Sequence, residues 1–190
     1  MHRVGDNKEL RLVEGLRHKD SGAMRTFYSL YAGRLSAVCS RYIPNREDQK
    51  DVFQDAFISI MTHIATFQYH GPGSLEAWAR RIVVNQALTF LRQMHQQEWT
   101  QLFNDIAQEP EADDPPISDV PPEVIHKMVS QLPTGYRTIL NLYVFEGRSH
   151  QEIAQMLGIR ERSSSSQLSR AKNLLAKMIT KYLTQNQTPQ

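Results

Sequence analysis

The sequence contains a single cysteine, Cys39, among its 190 residues. One cysteine cannot form an internal disulfide and offers no thiolate cluster for zinc, so disulfide-stabilised and cysteine-rich zinc folds are excluded. We expect Cys39 to be a small residue of the hydrophobic core. The sequence also lacks a charged-then-apolar leader and any apolar run near the roughly 20 residues that cross a bilayer. These absences predict a cytoplasmic protein without membrane insertion.

Lysine and arginine are absent from residues 101–123, which hold seven acidic residues. The flanking segments are basic: residues 1–100 carry 13 Lys/Arg and 10 Asp/Glu, a net charge of +3, and residues 124–190 carry nine and three, a net charge of +6. Because the acidic span is rich in proline, which disfavours regular helix, we expect an extended linker between two domains. Alternatively, its charge competes with nucleic acid for the basic domains.

A stretch near the C-terminus has the pattern of a helix-turn-helix, in which a tight turn joins two helices. Ser149 and Glu152 have the spacing of a capping box, which predicts a helix that begins at His150. Gly158 then supplies a residue that adopts the left-handed conformation readily, and we expect the helix to end there.

The second helix of this pair is basic, and we expect Ser163 or Ser164 to cap it. Apolar residues return along it at three- and four-residue steps, which predicts one face packed against the domain. The opposite face carries short polar and cationic side chains that can contact base edges and phosphates from the major groove. The residues predicted to contact DNA are Arg162, Ser163, Ser164, Ser165, Ser166, Ser169, Arg170 and Asn173. A helical hairpin with a solvated charged face would give the same pattern.

The first 100 residues predict helices almost throughout, without a competing strand pattern. Helices are expected from about Leu10 to Arg17, Ala23 to Tyr42, Glu47 to Phe67 and Leu75 to about His95. The third has an apolar arc wider than packing on one neighbour requires, and acidic residues line its other side. The fold class is therefore predicted to be all-α.

The fourth predicted helix has a polar face beside its apolar one. At about 100° per residue, Arg81, Asn85 and Arg92 lie within roughly 40° of one another. The loop before this helix contains aromatic rings and an imidazole, which together with cations can stack on and hold unpaired bases. The residues predicted to bind DNA here are Phe67, Tyr69, His70, Arg80, Arg81, Asn85 and Arg92. A solvated polar stripe is the alternative.

Two separate motifs carry a resemblance to a known family. DVFQDAF at residues 51–57 and GSLEAWARRIVVNQALTFLR at residues 73–92, followed by the helix-turn-helix, closely resemble the extracytoplasmic-function sigma factors of bacteria. The resemblance covers about residues 10–184. It implies two helical domains joined by an acidic proline-rich linker. The implied boundaries are a region 2 helical bundle at 1–97, the linker at 98–120, a region 4 helix-turn-helix at 121–184 and a tail at 185–190.

This resemblance also implies partners and roles for the motif residues. The protein would bind RNA polymerase core, with the helix matching Asp48 to Phe67 docked on the clamp of the largest subunit. The loop and helix from Gln68 to Arg92 would recognise and help open the minus-ten element of promoter DNA, with Asn85 at the pocket for a flipped base. The second helix of region 4 would enter the major groove of the minus-thirty-five element. The implied polymerase contacts are Asp48, Asp51, Gln54 and Asp55. An anti-sigma factor is a further implied partner.

The chain departs from the family pattern in its second helix-turn-helix helix. Arg162 and Ser163 stand where the family often has Gly-Thr, and Ser165 stands where a lysine or arginine is common. A missing cation at residue 165 removes a bidentate contact to guanine, so the family's minus-thirty-five preference does not carry over. Met61 stands where many relatives have tryptophan, which is a packing change.

Two other classes of function fit part of the sequence. A repressor or activator with the same helix-turn-helix would bind DNA without polymerase. An enzyme would need a site such as Asp48, Asp51 and Asp55 with His63, since carboxylates at helical spacing bind divalent ions. However, His63 points about 80° away from Asp55, and the sequence has no second histidine nearby, no phosphate-binding loop and no nucleophile motif. We predict no catalytic residue, no metal and no cofactor.

Overall fold

The computed structural model describes residues 3–103 and 117–186, and every regular element in these ranges is helical. This confirms the predicted all-α class. The chain divides into two compact units, Met1–Gln93 and Met94–Gln190. Residues 104–116 of the predicted linker, and residues 187–190 of the predicted tail, lie outside the described residues. None of the described helices is both long and apolar enough to cross a membrane.

Four α-helices lie in the described residues of the first unit where the apolar periodicity predicts four, although the first begins seven residues earlier than expected. They are α1 (Arg3–Arg17), α2 (Ser21–Tyr42), α3 (Arg46–His63) and α4 (Ser74–Met94). The third ends four residues earlier than expected, because a 3-10 turn at Ile64–Thr66 tightens the chain before Phe67. The Phe67 amide donates to the Ile64 carbonyl over 3.2 Å and closes this turn.

Side-chain caps fix where α2 and α3 begin. The carboxylate of Asp20 accepts a hydrogen bond from the Ala23 amide at 2.8 Å. The side-chain oxygen of Asn45 accepts from the amides of Glu47 and Asp48 at 2.8 and 3.2 Å. Each cap pairs amides that have no partner inside the helix.

The core of the first unit takes side chains from α1, α2, α3 and α4. Its members are apolar side chains that are at most 1% exposed in the structure: Val13, Leu16, Phe27, Leu35, Cys39, Tyr42, Ala56, Ile60, Leu75, Ala79, Val83 and Ala87. Cys39 is fully buried, which confirms its predicted place in the core. Burial raises the pKa of the Cys39 thiol to about 11, so the thiol stays protonated at neutral pH. A buried protonated thiol is neither a metal ligand nor a nucleophile.

In the described residues of the second unit, 3-10 turns at Gln101–Phe103 and Ile117–Asp119 precede four α-helices and one π-helical turn. They are α5 (Pro122–Gln131), α6 (Thr134–Leu140), the π-helical turn Asn141–Phe145, α7 (His150–Leu157) and α8 (Glu161–Asn186). The helix-turn-helix, α7 and α8, packs around Ile139, Leu142 and Ile153. The far end of α8 forms a smaller apolar cluster with α5, centred on Met128 and Ile179.

The first helix of the helix-turn-helix begins and ends where the sequence predicts. Ser149 and Glu152 form the capping box, so α7 starts at His150. Gly158 adopts the left-handed conformation at φ 71° and ends the helix. These details depend only on residues within one helix length of each other.

The predicted start of the second helix is wrong. The first residue of α8 is Glu161, so Ser163 and Ser164 lie inside its first turn and do not cap it. The Ser164 amide donates to the Arg160 carbonyl over 3.2 Å, which means that the helical hydrogen-bond ladder already includes the serine tract.

The predicted linker includes residues that belong to the second unit. Trp99 and Phe103 are 8% and 0% exposed, and their rings meet edge to face with centroids 5.2 Å apart. The indole Nε1 of Trp99 donates to the carbonyl of Leu157, 3.0 Å away, at the C-terminus of α7. Packing of two large aromatic rings, and a partner for an end-of-helix carbonyl, explain why this segment is ordered against the domain.

Gly135 makes room for that segment. A Cβ at Gly135 would lie 2.5 Å from the backbone carbonyl oxygen of Leu102 and 3.3 Å from Oε1 of Gln167. We expect Gly135→Ala to push the segment that carries Leu102 off the domain, and such overpacking typically costs about 1 to 3 kcal/mol. In a Trp78→Phe background, the fluorescence of Trp99 should shift to longer wavelength.

Gly33→Ala is the matched control, since a Cβ at Gly33 in α2 would meet no atom within 4 Å. We expect that change to stabilise the first unit by roughly 0.5 to 1 kcal/mol, because alanine favours helix over glycine. Unchanged Trp99 emission in Gly135→Ala would show that the segment does not depend on the close approach.

Candidate nucleic-acid and polymerase interfaces

The solvent-facing edge of α3 is acidic. Asp51, Gln54 and Asp55 are exposed and Asp48 is half-buried one turn earlier. Val52, Ala56 and Ile60 on the opposite side are at most 3% exposed. The structure therefore brings the four predicted polymerase-contacting residues together on one edge of one helix.

Apolar side chains flank this acidic edge. The Phe57 ring on α3 packs against Phe27 and edge-on against Tyr28, with centroids 6.1 and 5.6 Å apart. These contacts with α2 account for part of the wide apolar arc that the sequence shows. Tyr28, Leu30 and Ile58 nevertheless remain more than half exposed.

The polar face of α4 is open to solvent as predicted from its spacing. Arg81, Asn85 and Arg92 are all exposed, and Arg80 is half-buried and held by contacts within the protein. An amide between guanidinium groups can pair with a base edge while the arginines contact phosphates. The three exposed side chains project from a regular helix, so their relative placement is fixed by helical geometry.

Phe67 does not belong to this surface. It is 4% exposed, and its ring packs against Trp78 with centroids 5.1 Å apart. The prediction that Phe67 contacts DNA is therefore wrong, because the ring is enclosed by the first unit. Tyr69 is half-buried and held by contacts within the protein, and His70 is exposed.

The loop between Phe67 and α4 is held by its own hydrogen bonds. Gly71 and Gly73 have φ values of 113° and 86°, which residues with a side chain rarely adopt. The Ser74 hydroxyl donates to the Gly71 carbonyl at 2.7 Å and accepts from the His70 amide at 3.3 Å. The loop therefore presents its side chains from a defined backbone.

In the second unit, the exposed face of α8 is narrower than the sequence pattern indicates. Of the predicted DNA contacts, Arg162 and Ser165 are exposed. The half-buried members are Ser163, Ser166 and Ser169. Lys172, about one turn beyond Ser169, is exposed on the same side of the helix, and the prediction missed it. Lys172 lies seven residues after Ser165, and residues at this spacing share one face of an α-helix, so the sequence could have indicated it.

Three predicted DNA contacts on α8 are wrong because they are buried within the unit. They are Ser164, Arg170 and Asn173, with exposures of 0%, 8% and 4%. The Ser164 hydroxyl lies 2.9 Å from Nδ1 of His150, whose ring stacks on Tyr143. The guanidinium of Arg170 reaches the hydroxyl of Tyr136 at 3.5 Å. These polar side chains join α8 to its neighbours instead of facing solvent.

Arg137 is a further buried cation that sequence reasoning missed. Its guanidinium donates to the carbonyls of Ser130 and Leu132 at 3.2 and 2.7 Å, and so satisfies the C-terminal end of α5. Burial lowers the pKa of Arg137 from its usual value. Its role is to join α5 and α6, not to contact DNA.

The capping box at the start of α7 gives a test by pH. A backbone hydrogen bond from Ser149, with further bonds from Arg148 and the Ser149 hydroxyl, lowers the pKa of Glu152. Because the folded-state pKa is lowered, the carboxylate stabilises the fold above its unfolded pKa of about 4.3, and the effect disappears as pH falls through the lowered value. Glu152→Gln should therefore lower the thermal unfolding midpoint at pH 7 and match wild type at strongly acidic pH.

Glu161→Gln is the control for that measurement. Glu161 is an exposed acid in the first turn of α8 and has no capping box. An equal loss of stability in both variants at pH 7 would assign the effect to the helix dipole and not to the cap.

Two family models match separate segments of this chain. A family model described as Sigma-70 region 2 matches residues 27–97, and one described as Sigma-70, region 4 matches residues 123–175. The first match contains the acidic edge of α3 and the polar face of α4. The second contains the helix-turn-helix and the exposed face of α8.

Named relatives extend the similarity over most of the chain. The ECF RNA polymerase sigma factor SigE of Mycolicibacterium smegmatis is 26% identical over 86% of this chain and 65% of its own length. The RNA polymerase sigma-H factor of Pseudomonas aeruginosa is 24% identical over 90% of this chain and 94% of its own length. The ECF RNA polymerase sigma-E factor of Escherichia coli K12 is 25% identical over 86% and 90% respectively.

Proposed function

The chain belongs to the extracytoplasmic-function group of RNA polymerase sigma factors, and on this premise we propose how it directs promoter-specific transcription initiation. The first unit binds core polymerase through the acidic edge of α3, on the clamp of the largest subunit. The polar face of α4 contacts the minus-ten element, and the exposed face of α8 contacts the minus-thirty-five element. The protein acts in the cytoplasm, where it meets polymerase and DNA.

The observation that carries this proposal is the face of α4. Arg81, Asn85 and Arg92 are exposed on one helix that follows directly from a loop with a defined backbone. A fixed amide between cations is suited to an unpaired base whose phosphates are held on either side. A repressor that binds closed duplex has no use for such an arrangement.

Membership in this family assigns promoter recognition to the chain and RNA synthesis to the polymerase. Sigma factors are initiation factors, and the polymerase forms the RNA bonds. The described residues of this chain contain no cluster of three side chains that could hold a metal ion. The His63 ring of the alternative enzyme site lies 2.8 Å from the carbonyl of Ser59 in its own helix. We include an anti-sigma factor among the proposed partners because the family commonly has one.

Transcription with purified components tests the function as a whole. The chain is mixed with core RNA polymerase and a pool of genomic promoter fragments, and run-off transcripts are sequenced. We expect a restricted set of transcripts that core alone does not make. A gel-shift without polymerase separates the alternative, because tight specific binding by the isolated chain would identify a repressor or activator instead.

Asn85→Ala tests the minus-ten contact. Loss of the amide removes one donor and one acceptor from the base pocket, so discrimination at one minus-ten position should fall by roughly 1 to 3 kcal/mol. Gln93→Ala is the matched control, because it removes another exposed amide from α4. Arg92→Ala should weaken all promoters alike and flatten the salt dependence, since a phosphate contact carries no sequence information. Equal preferences among minus-ten variants for Asn85→Ala and wild type would place the pocket elsewhere.

A further inference from the structure

Glu9 of α1 binds the end of the loop that precedes α4. One carboxylate oxygen accepts a hydrogen bond from the Gly73 amide at 2.7 Å, and the other accepts from the Leu75 amide at 2.8 Å. Both amides belong to the N-terminal end of α4, where backbone N–H groups lack partners inside the helix and the helix dipole favours an anion. Glu9 is therefore a cap supplied from more than 60 residues away.

Arg17 binds the opposite end of the same loop. Its guanidinium donates to the backbone carbonyl of Phe67, where the loop leaves the 3-10 turn. Glu9 and Arg17 are eight residues apart on α1, which corresponds to about 12 Å along a helix. A single rigid helix thus holds the two ends of the loop at a fixed separation.

Between these two anchors, the loop carries the side chains that face solvent. Ser74 closes the turn over Gly71 from inside the loop. Gln68 and His70 are exposed in the loop. Asn85 is exposed on α4, the helix that Glu9 caps. The hydrogen bonds of Glu9 and Arg17 reach backbone atoms at the two ends of the loop, so their effect on DNA would pass through the loop backbone.

We propose that Glu9 and Arg17 are positioning residues for minus-ten recognition and opening. By fixing the loop before DNA arrives, they reduce the ordering that base capture would otherwise require. This inference rests on the proposed function of the loop and α4. It assigns a part in promoter opening to α1, which lies entirely outside the matched region 2 segment at residues 27–97.

The test compares Glu9→Gln with Glu14→Gln in the complex with core polymerase. Glu14 is an exposed carboxylate on the same helix, so the control carries the same change in charge. The carboxylate of Glu9 accepts two charge-assisted hydrogen bonds, whereas the neutral amide of glutamine has only one acceptor oxygen. Promoter opening by Glu9→Gln should therefore slow about tenfold. Opening is measured by 2-aminopurine fluorescence in the minus-ten element of a duplex promoter.

Four further readouts separate positioning from a loss of fold. Affinity for core should match the Glu14→Gln control, and the variant should stay folded at the assay temperature, with a thermal unfolding midpoint lowered only by the loss of one helix cap. Hydrogen exchange at the Gly73 and Leu75 amides should accelerate. A template with a pre-opened minus-ten bubble should restore most of the lost rate. Arg17→Met removes the donors at the other loop end and should slow opening in the same way, which keeps the proposal testable if Glu9→Gln folds poorly.

The outcomes distinguish this inference from the function on which it rests. Opening by Glu9→Gln and Arg17→Met at the rate of Glu14→Gln would overturn the positioning role, as would slow opening accompanied by a proportional loss of core affinity. Failure of the wild-type chain to open any promoter with core would instead overturn the proposed function. In that case, exchange at Gly73 and Leu75 still reports whether Glu9 holds the loop.

Discussion

Charge reversal at Asp51 and Asp55 is expected to abolish binding to core RNA polymerase while the chain stays folded. Both carboxylates are exposed on the edge of α3 opposite its buried side. Exposed substitutions away from packing usually change stability by less than about 0.5 kcal/mol, so Asp51→Arg with Asp55→Arg should retain its helicity. An acidic edge is complementary to a cationic surface, so arginines in place of Asp51 and Asp55 would bring like charges together at the interface. This costs several kcal/mol, which is enough to remove detectable binding.

A pull-down titration with core polymerase measures this effect. The single variants Asp51→Arg and Asp55→Arg are titrated beside the double variant, and Glu14→Arg is the control for each of them. It changes an exposed acid of the same unit to a cation on a helix without the proposed contact. We expect Glu14→Arg to bind core like wild type. Full affinity in the double reversal would sink the assignment of this edge to the polymerase.

The parts of the fold that could be predicted from sequence depend on short-range physics. The capping box of Ser149 and Glu152, and the left-handed Gly158, involve residues within one turn or one helix of each other. The helices of the first unit follow from apolar spacing in the same way. The acidic edge of α3 is also a local property, since helical geometry alone places Asp51 and Asp55 together.

The parts that could not be predicted depend on contacts between distant segments. Polar residues on α8 look alike in sequence whether they face solvent or a neighbour. The sequence therefore predicts DNA contacts for Arg170 and Asn173, although both are buried and Arg170 reaches the hydroxyl of Tyr136. Trp99 looks like part of a linker until its indole is seen to meet Leu157, 58 residues later.

The loop before α4 combines features that could be predicted from sequence with features that could not. Its aromatic and histidine content predicts side chains that hold unpaired bases beside Asn85, but composition cannot tell which ring is enclosed. Phe67 packs on Trp78 and serves as an anchor of the loop, while His70 faces solvent. The hydrogen bonds that Glu9 accepts and that Arg17 donates leave no mark in the local sequence, because both residues lie in a helix 50 to 66 residues earlier.

Two neighbouring serines on α8 should respond in opposite ways to the same substitution. Ser165 is exposed on the proposed DNA-facing side, so Ser165→Arg should tighten minus-thirty-five binding by about 1 to 3 kcal/mol and shift the preference toward guanine at one position. Ser164 is fully buried against His150. Ser164→Arg would bury a charge and force a larger side chain into a site that is already filled. Overpacking alone typically costs about 1 to 3 kcal/mol.

Selection from randomised minus-thirty-five duplexes by each variant in complex with core, together with thermal unfolding, measures both effects. Ser165→Arg should enrich a changed sequence at an unfolding midpoint close to that of wild type, whereas Ser164→Arg should unfold the second unit and enrich nothing. Ser164→Ala separates loss of the His150 contact from the burial of charge, because it adds no volume. If both arginine variants fold and enrich the wild-type sequence, then neither serine has the environment that the structure assigns to it, and the proposed DNA-facing side of α8 is wrong.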